Sequence, residues 1–399
     1  MALTTNGKTT AALSALCLLA APATAGEWEL GLGAEYEQFF GYVSYDSATA
    51  SDFEGADAVA SGRVFVAPAL TLDNGLSFGG NFELDAHLGE RNAGVVADEA
   101  ALYLKGGFGT LQFGKTDTPG NHMHMGAPVS FGPEVNNANI SAAVLPSLLQ
   151  FSNVHSTSQV GDDLIRGTLG STYASNMRDE TGLRLSYYSP RISGLQLGLS
   201  YAPDGPSTAL GREDFIDVGA NYTRSFGAVD AAVSAKWGLA DSTAGSPEYW
   251  GLGLSLGFGA LSVGGSYSET SGSAGGLTDG QAYDIGVKYE TGRYGLSVHY
   301  LSGENIDDEN AALGGKEQLQ ALTLAASYSL TGPASRDITP PGPAAPAAER
   351  YGRQPGMDAS IFGFVSMTEF SEDLGDGGLG TPGDDNDGWV IGTGFRLTF

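Results

Sequence analysis

Apolar side chains recur at every second position in one segment after another. Leu195, Leu197, Leu199 and Tyr201 hold one parity; so do Ile216, Val218, Ala220 and Tyr222, then Trp250, Leu252, Leu254 and Leu256, then Tyr283, Ile285, Val287 and Tyr289. Glycine, serine, asparagine or a charge fills the positions between them. Successive side chains of a strand point to opposite faces, so this period predicts strands with one apolar and one polar face. The stretch "DGWVIGTGFRLTF" has the same form, with Trp389, Ile391, Thr393, Phe395, Leu397 and Phe399 on one parity. It is expected to pair with "GEWELGLGAEYE" near residue 26 and close the sheet.

A soluble sandwich would show the same alternation, and the connections separate the two. Short links at 73–75, 105–109, 189–194, 225–230, 257–260 and 290–295 alternate with longer polar ones at 44–57, 88–94, 117–180, 203–213, 238–247, 269–281, 302–316 and 368–387. The proline-rich stretch 331–357 takes the place of one further short turn, on the periplasmic side. The pattern predicts an all-β fold: a transmembrane antiparallel up-and-down β-barrel of about 16 strands, with tight turns at one end and long loops at the other. Past residue 25 no stretch reaches the ~20 consecutive apolar residues of a membrane-spanning helix.

Composition narrows the picture. Residues 1–25 carry Lys8, the apolar run "AALSALCLLAAPA" and Ala23-Thr24-Ala25, the form of a secretory signal, which leaves 26–399 as one barrel. The sole cysteine, Cys17, lies inside that signal, so no disulfide is expected in the mature chain. A formal charge of -27 disfavours nucleic acid, whose phosphates demand basic patches, and suggests a mild preference for cations.

Several stretches resemble the general-diffusion porins of Gram-negative bacteria. "LYLKGGFGTLQFGKTDTP" (102–119) is similar to the hairpin entering that family's constriction loop, and "LRLSYYSPRISGLQLGLSYAP" (183–203) to the one leaving it. "SGRVFVAPALTLDNGLSFGGNFELD" (61–85) resembles its second and third strands, and a terminal phenylalanine such as Phe399 is common to outer-membrane barrels. The resemblance implies a water-filled homotrimer in the outer membrane, in contact with lipid and lipopolysaccharide, passing small hydrophilic solutes and ions. It also implies that the third external loop, 117–180, folds inward. The chain departs from the family's pattern in "GPEVNN", in Asp98 and Glu99 ahead of the fourth strand, and in the proline-rich insertion.

The polar parity carries Arg63, Asn81, Glu83, Asp85, Arg184, Asp217, Asn221, Lys236, Asp284, Lys288, His299 and Arg396, which are expected to face the lumen. Facing charges at a narrow point filter ions. With the resemblance, the constriction is expected to use Arg63, Glu83, Asp117, Glu134 and Arg184. No cofactor is expected, although the acidic loop around 368–387, with Asp373, Asp376, Asp384, Asp385 and Asp387, offers oxygen ligands that suit weakly bound calcium. His122 and His124 would share one side of an extended segment, a spacing open to a softer metal. Two alternatives stand beside a general pore. One is a solute-specific channel with an aromatic track, against which most aromatics fall on the lipid-facing parity. The other is a barrel enzyme using His87, His155 or His299 as base.

Overall fold

The computed structural model describes residues 26–45, 55–87, 94–128, 183–204, 212–242, 246, 248–272, 279–306, 316–332, 358–372 and 385–398. Strands β1 (Gly26–Tyr45), β2 (Gly55–Leu72), β3 (Ser77–His87), β4 (Gly94–Gly106) and β5 (Gly109–Lys115) lead to a single helical turn, α1 (Pro119–His122). Beyond it come β6 (Leu183–Tyr188), β7 (Leu195–Asp204), β8 (Arg212–Phe226), β9 (Val229–Ser242), β10 (Glu248–Phe258) and β11 (Leu261–Ser271). The sheet is completed by β12 (Gly280–Thr291), β13 (Tyr294–Ile306), β14 (Lys316–Ser329), β15 (Asp358–Glu372) and β16 (Asp385–Thr398).

Each strand pairs antiparallel with its neighbours in sequence, and β1 pairs with β16, so the sheet is a closed barrel. Closure satisfies every ladder hydrogen bond internally, which hydrocarbon requires because it offers no partner for a free N–H or C=O. In the closing seam Glu35 lies opposite Thr398 and Tyr42 opposite Ile391.

The two parities separate as the pattern predicts, with the apolar one outside. Leu197, Leu199, Leu252, Leu254, Ile285 and Val287 are exposed on the outer surface. Their neighbours Ser200, Asp217, Asn221, Ser234, Asp284 and Ser297 are buried on the inner one. A protein in water does not leave rows of leucine exposed while enclosing aspartate; a barrel in lipid does. Among the described residues no helix is long and apolar enough to cross a membrane.

Strands run further than the alternation alone suggested. β15 reaches Glu372 and β16 begins at Asp385, inside the stretch 368–387 expected as loop, and β9 extends to Ser242. Polar side chains bridge strand ends elsewhere on this rim: Lys316 Nζ on β14 reaches Glu304 on β13 at 2.6 Å, and Trp237 Nε1 on β9 donates to Glu248 Oε1 on β10 at 2.9 Å. A strand needs only about 9–11 residues to span the bilayer, so the surplus continues into water.

Not every aromatic points outward. Phe39, Phe65, Tyr188, Phe215, Tyr249, Phe362 and Phe364 are buried inside the barrel. Phe362 and Phe364 lie across from Gly394 and Gly392, whose missing side chains leave room for the rings. Phe39 packs against Phe362 with ring centroids 5.1 Å apart.

Candidate functional site

After β5 the chain turns inward. Thr118 caps α1, its hydroxyl accepting from Asn121 N at 3.2 Å, and Pro119 occupies the first helical position, where a missing N–H costs nothing. The segment 118–127 then crosses the inner wall transversely. Gly120 N donates to Asp217 Oδ1 on β8 at 2.7 Å, Met125 N to Ser234 Oγ on β9 at 2.9 Å, and Ala127 N to Asp284 Oδ1 on β12 at 2.8 Å. Each bond supplies a partner for a buried backbone donor that would otherwise be orphaned.

A track of inward-facing glycines makes the crossing possible. A Cβ at Gly198 would meet Pro119 Cβ at 2.6 Å, and one at Gly264 would meet Gly126 O at 2.8 Å. One at Gly253 would overlap Met125 O outright. Backbone therefore lies directly on backbone over β8, β10 and β11, while Pro119 and Met123 side chains cover Gly198 on β7 and the Ala127 methyl covers Gly286 on β12.

The wall charges form connected groups. Arg63 Nε lies 2.7 Å from both Glu83 Oε1 and Asp85 Oδ1, and its Nη2 reaches Asp85 Oδ2 at 2.9 Å. Across the closing seam Arg396 contacts Glu35 at 3.3 Å and Glu37 at 3.4 Å. Arg184 is fully buried, with its guanidinium 5.9 Å from the centre of the Phe215 ring. Tyr249 Oη donates to Asp217 Oδ2, placing a second donor on the carboxylate that anchors the loop.

At the root of the crossing segment Glu99, Asp117 and His122 converge. Thr116 Oγ1 donates to Glu99 Oε1 at 3.2 Å and lies 3.3 Å from His122 Nε2, while Asn121 Nδ2 donates to Asp117 Oδ2 at 2.7 Å. His124, also in the crossing segment, is buried and not part of this group; burial first, and then Lys236, holds its imidazole well below the usual histidine pKa.

The model of the Gram-negative porin family matches residues 11–335 of the chain. The chain belongs to that family. It is an outer-membrane porin, and solved outer-membrane proteins, porins among them, share its fold. OmpT of Vibrio cholerae, folded in vitro and in its trimer form, is 12% identical with a TM-score of 0.57, covering 92% of this chain and 99% of its own. The anion-selective porin of Comamonas acidovorans is 14% identical with a TM-score of 0.51, covering 94% and 100%. A mutant porin of Rhodopseudomonas blastica is 15% identical with a TM-score of 0.50, covering 93% and 100%. Among curated proteins, none matches the chain in sequence.

Of the five residues named for the porin's constriction, Arg63 and Glu83 form an ion pair, Arg184 lies in the wall of β6, and Asp117 stands at the root of the inward segment. Glu134 lies outside the described residues, as do residues 1–25, Phe399 and most of the acidic and proline-rich stretches. Glu35 and Glu37 escaped notice because their role depends on which residue of β16 meets β1. The glycine track was present in the quoted strands themselves, at Gly198, Gly219, Gly253 and Gly286, always on the polar parity.

Proposed function

We propose that this porin is a passive, water-filled channel for small hydrophilic solutes and ions with a mild preference for cations. One observation carries the reading: a segment bonded to the inner wall at Asp217, Ser234 and Asp284 occupies part of a charged lumen. Such a segment would narrow a water-filled path and requires no reacting group. Arg63, Glu83, Asp117, Arg184 and Glu134 form the filter, in which opposed charges orient dipolar solutes.

The sign of selectivity follows from the wall, not the fold, since the Comamonas porin shares the architecture and is anion-selective. Here Glu35, Glu37, Glu83, Asp85 and Glu99 gather around Arg63 and Arg396 on the inner wall. Residues 1–25 serve as the export signal, and three copies assemble, an arrangement supported by the trimer form of the Vibrio protein. Reversal potential across a planar bilayer in a salt gradient tests the selectivity: cations are favoured, and a clear anion preference refutes it. Liposome swelling with graded sugars tests generality, a smooth size cutoff supporting a general pore and a saturable preference supporting a solute-specific one.

A further inference from the structure

We propose that Glu99, Asp117 and His122 bind one divalent first-row transition cation, with zinc(II) as its probe, at the point where the inward segment leaves the wall. One ligand atom from each residue lies within 4.8 Å of the other two. Glu99 Oε1 and His122 Nε2 are 3.9 Å apart. Two ligands at about 2.1 Å in a tetrahedral site are separated by ~3.4 Å, so a small rotation of either side chain brings both onto one ion.

The donor set selects the class of metal. Two carboxylates alone would favour calcium or magnesium, which take oxygen ligands; an imidazole nitrogen shifts the preference toward zinc and its neighbours. The Thr116 hydroxyl, already beside both Glu99 and His122, marks the space between them as polar. Asp117 is oriented by Asn121, a supporting contact of the kind that fixes metal-bound carboxylates.

A separate observation points to a cation. In the β3–β4 ladder Glu99 stands directly opposite Glu83, and both side chains are buried on the inner face. Like charges opposite each other destabilise a sheet. Arg63 sits beside Glu83, and a dication beside Glu99 offsets the repulsion from the other side. Because Glu99 belongs to the wall and Asp117 and His122 to the inward segment, the ion would tie the two together and damp fluctuations of the pore. This site does not depend on which solutes pass.

The test uses the full-length porin, purified in detergent and stripped with a chelator, titrated with zinc(II) against a chromophoric zinc indicator. The expected result is one saturable zinc per chain. Binding is weakened at least tenfold in Glu99→Gln, Asp117→Asn and His122→Ala, unchanged in His155→Ala, and undisplaced by an equal concentration of calcium. Circular dichroism shows that each variant keeps its sheet, and the near-isosteric carboxamides guard against a folding defect passing as lost affinity. Absence of saturable binding, binding that survives His122→Ala, or equal competition by calcium overturns the proposal.

Discussion

Glu37 on the first strand and Arg396 on the last stand directly opposite each other in the seam that closes the barrel, 3.4 Å apart and facing the lumen. Glu35, one pleat away, is held by the same guanidinium. The pairing fixes the register of closure, because a one-residue slip of β16 would send Arg396 to the lipid face while Glu35 and Glu37 stayed inside.

Arg396→Ala is therefore expected to cost about 1–3 kcal/mol, since two buried carboxylates lose a charged partner. Urea unfolding followed by tryptophan fluorescence checks the loss. The same variant makes the lumen more acidic, so its reversal potential moves further toward cations.

The outer face gives a second prediction. Leu254 lies exposed on β10 between Leu252 and Leu256, where the surrounding medium is hydrocarbon. Leu254→Arg is expected to destabilise the folded barrel by about 2–4 kcal/mol in lipid, as charges do near the bilayer midplane. Unfolding in phosphatidylcholine vesicles measures it, and a neutral effect would mean that the face meets water.

Gly253 gives a third. A side chain there collides with Met125 O and lifts the crossing segment away from the wall toward the axis. Gly253→Val is expected to lower single-channel conductance, with an overpacking cost of about 1–3 kcal/mol. Conductance equal to that of the unsubstituted protein would show that the segment does not border the conducting path.

Asp284 gives a fourth. Its carboxylate accepts from Ala127 N and from Ser266 Oγ, so Asp284→Ala orphans a buried backbone donor at a cost of about 1–3 kcal/mol. The loosened segment is expected to raise open-channel current noise, which power spectra of bilayer recordings resolve.

Strands, their inward and outward faces and the closure of the sheet were legible in the sequence because period two leaves its mark on every segment. Leu197 and Asp217 each lie on the face that their parity assigned. Docking of the inward segment was not legible. Its anchors are backbone N–H groups, which every residue but proline carries, and its track is glycine, which on a polar parity looks like filler. The convergence of Glu99 with His122 was hidden for a related reason: it depends on one turn of helix after Thr118 that brings His122 back over Thr116. Most aromatics lie on the exposed outer face as their parity assigned, while Phe362 and Phe364 turn inward where Gly394 and Gly392 admit them.

The central claim is that the apolar parity faces lipid and the polar parity encloses water. Single-channel recording of the purified porin in a planar bilayer tests it most directly. Discrete, ohmic conductance steps that scale with salt concentration are predicted; a bilayer that stays electrically silent at every protein concentration would contradict the account.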